Sequence, residues 1–170
     1  MQNENNDILK SWTGLSQCTT IFDSENDELT ARGVDSKITG KTNIVFLVED
    51  TRGNVFGSFH GIIPPPDKLI SSKDDPKHFV FTLKNPHNIP PTKFPVKDTN
   101  GDVLHVYDSS DCRNVFNVQS AFGVTCDSKV FVYESIINGY TNLPPIGCRV
   151  LVNDNNKFFD IKRLIILQFN

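Results

Sequence analysis

The chain has 170 residues, 38% hydrophobic and 22% charged, with a formal net charge of -3 and a pI near 5.7. That length suits one folded domain, the polarity falls short of wholesale disorder, and the acidic balance argues against a generic polyanion binder. The longest apolar run, Ile44-Val45-Phe46-Leu47-Val48, is far too short to cross a bilayer. The polar start from Met1 to Asp7 lacks the basic-then-apolar order of a secretory signal. The expected location is therefore cytoplasmic, or nuclear, without membrane insertion.

In chain order, Ile8, Leu9 and Trp12 share one face of a short helix over Asn5 to Trp12, with Asp7 as cap and Gly14 as stop. Residues 1–19 thus read as a helical lead-in, and 20–170 as the domain proper. Cys18 to Phe22 has strand character. Asp23 to Glu28 is a polar turn, followed by a brief helix over Leu29 to Val34. Asp23, Glu25 and Asp27 imitate a calcium loop, but its glycine position holds Glu28 and its closing glutamate position holds Val34, so a capped helix start is the better reading.

Asn43 to Glu49 reads as a strand buried on both faces. Asp50-Thr51-Arg52-Gly53 is turn chemistry, with Gly53 free to take positive φ. Asn54 to His60 returns as the partner strand, and Gly57 within it marks a bulge or a close backbone approach. A long loop is expected from Gly61 to Pro76, a strand over His78 to Leu83, and a second proline-rich connector from Asn85 to Pro95. Asn100-Gly101, between Phe94 to Lys97 and Val103 to Tyr107, predicts a hairpin. Further strands are expected at Val115 to Val118, Lys129 to Tyr133, Cys148 to Val152 and Phe158 to Phe169, with a turn at Asn153 to Asn156. The sum is many short strands with turn signals and little helix, a mainly β chain that argues a two-layer sheet arrangement.

Several of these segments together resemble the TLDc (TLD-like) family. The stretch from Ile44 to Phe59 is similar to its signature hairpin: an apolar strand, a D-x-x-G turn, then Val55-Phe56-Gly57 and a small residue. His78-Phe79-Val80-Phe81-Thr82-Leu83, Lys129-Val130-Phe131-Val132-Tyr133-Glu134 and Phe159-Asp160-Ile161-Lys162-Arg163-Leu164-Ile165 resemble its later strands. The resemblance spans roughly Thr20 to Phe169. It implies an α+β, mainly β fold with two antiparallel sheets packed as a sandwich and short flanking helices, no established enzyme activity, a role in resisting oxidative damage, and protein partners that include subunits of the vacuolar proton-pumping ATPase. The chain departs from the pattern where Ile165 and Leu167 replace the usual Glu and Trp, and where Ala121-Phe122-Gly123-Val124-Thr125-Cys126 stands for a glycine-rich segment.

Chemistry-bearing motifs are sparse. The histidines are His60, His78, His87 and His105; there is no G-x-S-x-G elbow and no phosphate-cradling glycine loop, so no catalytic residue and no cofactor is assigned. His105, Asp108, Asp111 and Cys112 cluster loosely but without metal-ligand spacing, so no metal site is assigned. Cys18, Cys112, Cys126 and Cys148 form no C-x-x-C pair and read as reduced, buried thiols. Cys112, in a polar loop beside Arg113, is the candidate redox thiol. Candidate partner-binding segments are Gly61 to Pro76 and Glu134 to Pro145, the second carrying Glu134, Asn138 and Gly139. Asp50, Gly53, Gly57, Asn100 and Gly101 are assigned to hairpin structure.

The leading expectation is a non-enzymatic protein-interaction module. The first alternative is an oxidation-responsive nucleic-acid-binding regulator, based on Lys157, Lys162 and Arg163 near Phe158 and Phe159, and on Lys93 and Lys97 about Phe94. The second is an enzyme acting on peroxides, which would need a low-pKa cysteine or a metal.

Overall fold

The computed structural model describes residues 2–63, 71–98, 101–107, 110, 113–152 and 158–170. Helix α1, Gln2–Thr13, begins earlier than its apolar spacing predicts, which puts Asp7 inside the helix and not at its cap. It ends as expected: Gly14 takes φ +72° and its N–H reaches the Lys10 carbonyl at 2.9 Å. Strand β1, Cys18–Asp23, leads to α2, Ala31–Ile38, which is capped by the Thr30 hydroxyl accepting from the Gly33 N–H at 3.0 Å. Strands β2, Thr42–Asp50, and β3, Val55–Ile62, form the predicted hairpin. There follow β4, Ser71–Lys73; β5, Phe79–Lys84; β6, Thr92–Pro95; β7, Asp102–Val106; β8, Asn114–Val118; β9, Phe122–Thr125; and β10, Lys129–Val132. A short helix α3, Ile136–Gly139, a 3-10 turn over Gly147–Val150 and the long strand β11, Phe158–Phe169, complete the described chain.

All pairings are antiparallel and link the strands into one sheet in the order β4-β7-β8-β9-β10-β11-β2-β3-β5-β6, with β1 on the side of β11. Strand β11 joins the two arms. Its start pairs with β10 through Phe131↔Phe158, and from Ile161 onward it pairs with β2, after a register shift between Ile161 and Arg163. Such irregularities sharpen the local twist and redirect a strand. The chain is thus mainly β, with few helices.

Two apolar clusters flank the β2 arm. Along β2 the side chains alternate: Ile44, Phe46 and Val48 enter the larger cluster, while Val45 and Leu47 enter the smaller. This is why the run carries no polar residue. Period-two geometry sends neighbouring residues to opposite faces, and here both faces are covered. The smaller cluster is closed by α1, whose Leu9 is fully buried and whose Trp12 ring meets Phe79 edge-on at 6.1 Å. The larger cluster joins the two arms: Phe46 lies 4.3 Å from Phe116, and Phe56 meets Phe122 edge-on at 5.3 Å.

The β2–β3 turn matches its sequence. Asp50 is wholly buried, and its carboxylate accepts from the Arg52 and Asn54 N–H groups, both at 2.9 Å, and from the Asn54 side-chain amide at 2.6 Å. Gly53 sits at φ +85°. Gly57 is a close approach: a Cβ there would lie 1.9 Å from the Phe46 carbonyl oxygen.

Four expectations need correction. The strands on either side of Asn100-Gly101 do not form a hairpin, because β6 pairs with β5 while β7 pairs with β4 and β8. The chain after β6 is held elsewhere: the Lys97 N–H donates to the Gly139 carbonyl at 2.9 Å, and Val96 bridges Tyr140. Gly101 is therefore part of a connection between distant strands, and Asn100 lies outside the described residues. Second, the expected loop over Gly61 to Pro76 contains strand β4. Third, Cys148 to Val152 is not a strand; Gly147 at φ +59° turns the chain into the 3-10 turn. Fourth, β9 and α3 arise in segments read as a reduced glycine-rich stretch and a loop.

Candidate functional site

The fold draws three chain-distant connections into one cleft. The β6–β7 connection supplies Val96, Lys97, Asp98 and Gly101; the β8–β9 turn supplies Gln119 and Ser120; the α3 segment supplies Asn138, Gly139 and Tyr140; and Asp102 opens β7. Two of the predicted partner-binding residues, Asn138 and Gly139, thereby meet Gly101, which the sequence marks only as a turn. The cleft encloses about 320 Å³, at the lower end of the range for small-ligand pockets.

Its walls are held by hydrogen bonds to backbone carbonyls. The Thr141 N–H donates to the Pro95 carbonyl at 2.8 Å, and the Lys97 ammonium donates to the Ile137 carbonyl at 2.7 Å. Ser120 adopts φ +59° at the tip of the β8–β9 turn, and a Cβ on Gly139 would lie 3.0 Å from the Ser120 Cβ, so the two loops touch. The rim is polar and of mixed charge, with Lys97, Asp98, Asp102, Gln119 and Asn138 all exposed. Such a rim suits recognition of another polar surface better than capture of an apolar ligand.

Behind the cleft lies a buried polar chain. The Tyr140 hydroxyl lies 2.8 Å from the Gln119 carbonyl and 2.9 Å from Nε2 of His78, whose Nδ1 lies 2.8 Å from the Phe59 carbonyl. The His78 ring stacks on His60 at 4.4 Å, and Nε2 of His60 lies 2.9 Å from the Ser58 hydroxyl. Nδ1 of His60 has no hydrogen-bond partner among the described residues. A carbonyl only accepts, so Phe59 places the His78 proton on Nδ1. That leaves Nε2 as an acceptor, and the one Tyr140 proton then faces two acceptors. An imidazolium at His78 would satisfy every contact, but burial opposes its charge. Desolvation pushes His78 down to about 4 and His60 well below the ordinary imidazole range, where the neighbouring His78 adds to the effect. Burial also raises the Tyr140 phenol. Both rings are therefore neutral at pH 7, and the Ser58–His60 contact is sealed in the core, away from any substrate.

The other predicted residues fall elsewhere. Glu134 is exposed but does not line the cleft. Asp50, Gly53 and Gly57 serve the β2–β3 hairpin. Cys112 lies outside the described residues, as do Asp108 and Asp111 of the loose polar cluster. Cys18, Cys126 and Cys148 are half-buried, less enclosed than their composition suggests, and burial raises the Cys18 thiol. Among the described residues no group of three or more His, Cys, Asp or Glu side chains is placed to hold a metal. The Asp23–Asp27 turn is held internally. Arg163 donates to both Asp23 carboxylate oxygens, at 2.9 and 2.5 Å, and holds that carboxyl below its usual range; Asp27 accepts from the Asp23 N–H at 2.9 Å. Of the aromatics beside basic residues, Phe94 and Phe159 are core, whereas Phe158 is 61% exposed.

Sequence reasoning missed Tyr140, Gln119 and Ser120. Tyr140 carries a faint signal as an isolated aromatic in a polar loop, but its pairing with His78, 62 positions away, has none. No described helix is long and apolar enough to cross a membrane. The chain matches no family model and no curated protein.

Proposed function

We propose that the chain is a non-enzymatic, TLDc-like protein-interaction module that recognises its partner at the cleft around Asn138 and Gly139. The observation that carries this reading is the convergence of three chain-distant connections on one open, polar cleft, built on rigid strands. Loops held on a stable scaffold are where binding residues concentrate. The sandwich implied by the resemblance is supported by the ring contacts between the two arms of the sheet, Phe46 with Phe116 and Phe56 with Phe122. The same resemblance favours a role in the oxidative-stress response or in regulation of the vacuolar proton-pumping ATPase, in the cytoplasm or the nucleus.

The test is affinity purification of the tagged full chain from its own cells, with and without peroxide, beside an Asn138→Arg variant. Asn138 is exposed, so the variant leaves the core intact. Recovery of pump subunits by wild type, reduced about tenfold in the variant, supports the reading. Equal recovery by both refutes the cleft. One observation favours the nucleic-acid alternative: exposed Phe158 shares a cleft with Arg113 and Lys129. Recovery of nucleic acid without pump subunits would replace the first reading with that one.

A further inference from the structure

A second cleft lies between α1, β6 and the connection into β5. Its accessible apolar surface comes from Trp12, Pro76 and Pro95, with buried Phe79 beneath them, and its charge from Lys77 and Lys93; it encloses about 300 Å³. The Lys93 ammonium lies over the Phe79 ring at 5.2 Å and donates to the Trp12 carbonyl at 3.2 Å, in the last turn of α1. It is thereby fixed at the cleft wall. Lys77 is exposed at the rim. No carboxylate lines the cleft among the described residues. Asp75, two residues before Lys77, is wholly buried, and its oxygens accept the N–H groups of Gly61 at 2.8 Å and of Ile62 and Lys77 at 3.2 Å. It partly offsets the Lys77 charge but is turned inward, away from an incoming ligand.

From this charge asymmetry we infer that the α1–β6 cleft binds an acidic peptide segment carrying one apolar anchor residue. The anchor packs on Trp12 and the two prolines, over buried Phe79, and flanking carboxylates meet Lys77 and Lys93. The cleft holds a volume suited to one large side chain and its neighbours. Prolines at both sides lose little freedom on binding, and a cation already seated over an aromatic ring needs little reordering. On a chain whose net charge is -3, a cleft with two cations and an apolar floor selects for a local anionic motif, not for a long polyanion. The inference is independent of the Asn138 cleft, and the Asn138→Arg variant is expected to retain the binding.

Trp12 is the only tryptophan, so its emission reports occupancy directly. The experiment titrates the full chain with a capped peptide of glutamates around a central leucine, read by tryptophan fluorescence. The comparison ligands are the lysine counterpart, the same peptide with leucine replaced by glutamate, and heparin. A saturable change is expected with the first peptide and not with its lysine counterpart. Binding is expected to weaken about tenfold on Lys77→Glu, on Lys93→Glu, and on loss of the leucine. Lys77→Glu keeps the test decisive if Lys93→Glu loosens α1. Absence of a saturable change, equal binding of the lysine peptide, or unchanged affinity in Lys77→Glu overturns the inference. Heparin binding as tightly as the peptide also overturns it, in favour of a simple anion site.

Discussion

Burial of the His78 ring should make stability fall on mild acidification. The ordinary imidazole value is 6.5, and in the folded chain burial holds His78 at about 4. Above pH 6.5 both folded and unfolded chains carry the neutral ring, and its contribution is fully present. Below 6.5 the unfolded chain takes up a proton that the folded chain refuses, so stability is lost as the pH falls toward the folded value. The gap of about 2.5 pH units corresponds to about 3 kcal/mol in full, and to about 2 kcal/mol between pH 7.5 and 5. His60 acts in the same direction. Asp75 acts in the opposite one: burial raises its carboxyl, so the folded chain binds that proton first. The difference between wild type and His78→Gln cancels the Asp75 contribution. Urea unfolding at pH 7.5 and 5 measures it, and NMR titration of the His78 ring reads the folded value itself. We expect His78→Gln to flatten the pH dependence by about 2 kcal/mol. An unchanged slope, or a His78 ring that titrates near 6.5, would refute the reasoning and show that the hydrogen bonds to Phe59 and Tyr140 outweigh burial.

Three further outcomes follow from packing. Gly57→Ala is expected to cost about 3 kcal/mol, because the new methyl meets the Phe46 carbonyl oxygen; Gly123→Ala should cost only about 1 kcal/mol, because its obstacle is the end of the Phe131 ring, which can swing away. Denaturant midpoints of the two variants test that order, and equal costs would contradict it. Asp50→Ala removes the buried carboxylate that accepts the Asn54 N–H and side-chain amide and should lose about 2 kcal/mol by the same assay. Leu9→Ala, in the fully buried contact of α1 with the sheet, should lose about 3 kcal/mol and shift the Trp12 emission toward the red as α1 loosens. A Trp12 spectrum and a stability both unchanged would mean that α1 does not close the smaller cluster in solution.

Local chemistry made much of the scaffold legible. The unbroken run from Ile44 to Val48 required two covered faces, and it received them from α1 on one side and the other arm of the sheet on the other. Asp50 and Gly53 specify their turn with side-chain and backbone groups a few residues apart, so no distant partner was needed to read it. Gly57 announced a close approach, though not that the Phe46 carbonyl would fill the space. The same local logic failed at Asn100-Gly101. A tight-turn dipeptide makes a hairpin only when its flanking strands lack better partners, and β6 is claimed by β5 while the chain beyond it is claimed by the α3 segment.

The sequence by itself determined the strand-rich class, the β2–β3 hairpin, the last strand and the apolar face of the first helix. Each follows from periodicity or turn chemistry within a short window. Only the tertiary structure decided that β11 would bridge two arms, that His78 would meet Tyr140, and that one cleft would open at the β6–β7 connection and another between α1 and β6. Those features depend on contacts between residues tens of positions apart, where the pairing is set by which faces remain to be buried once the local elements exist.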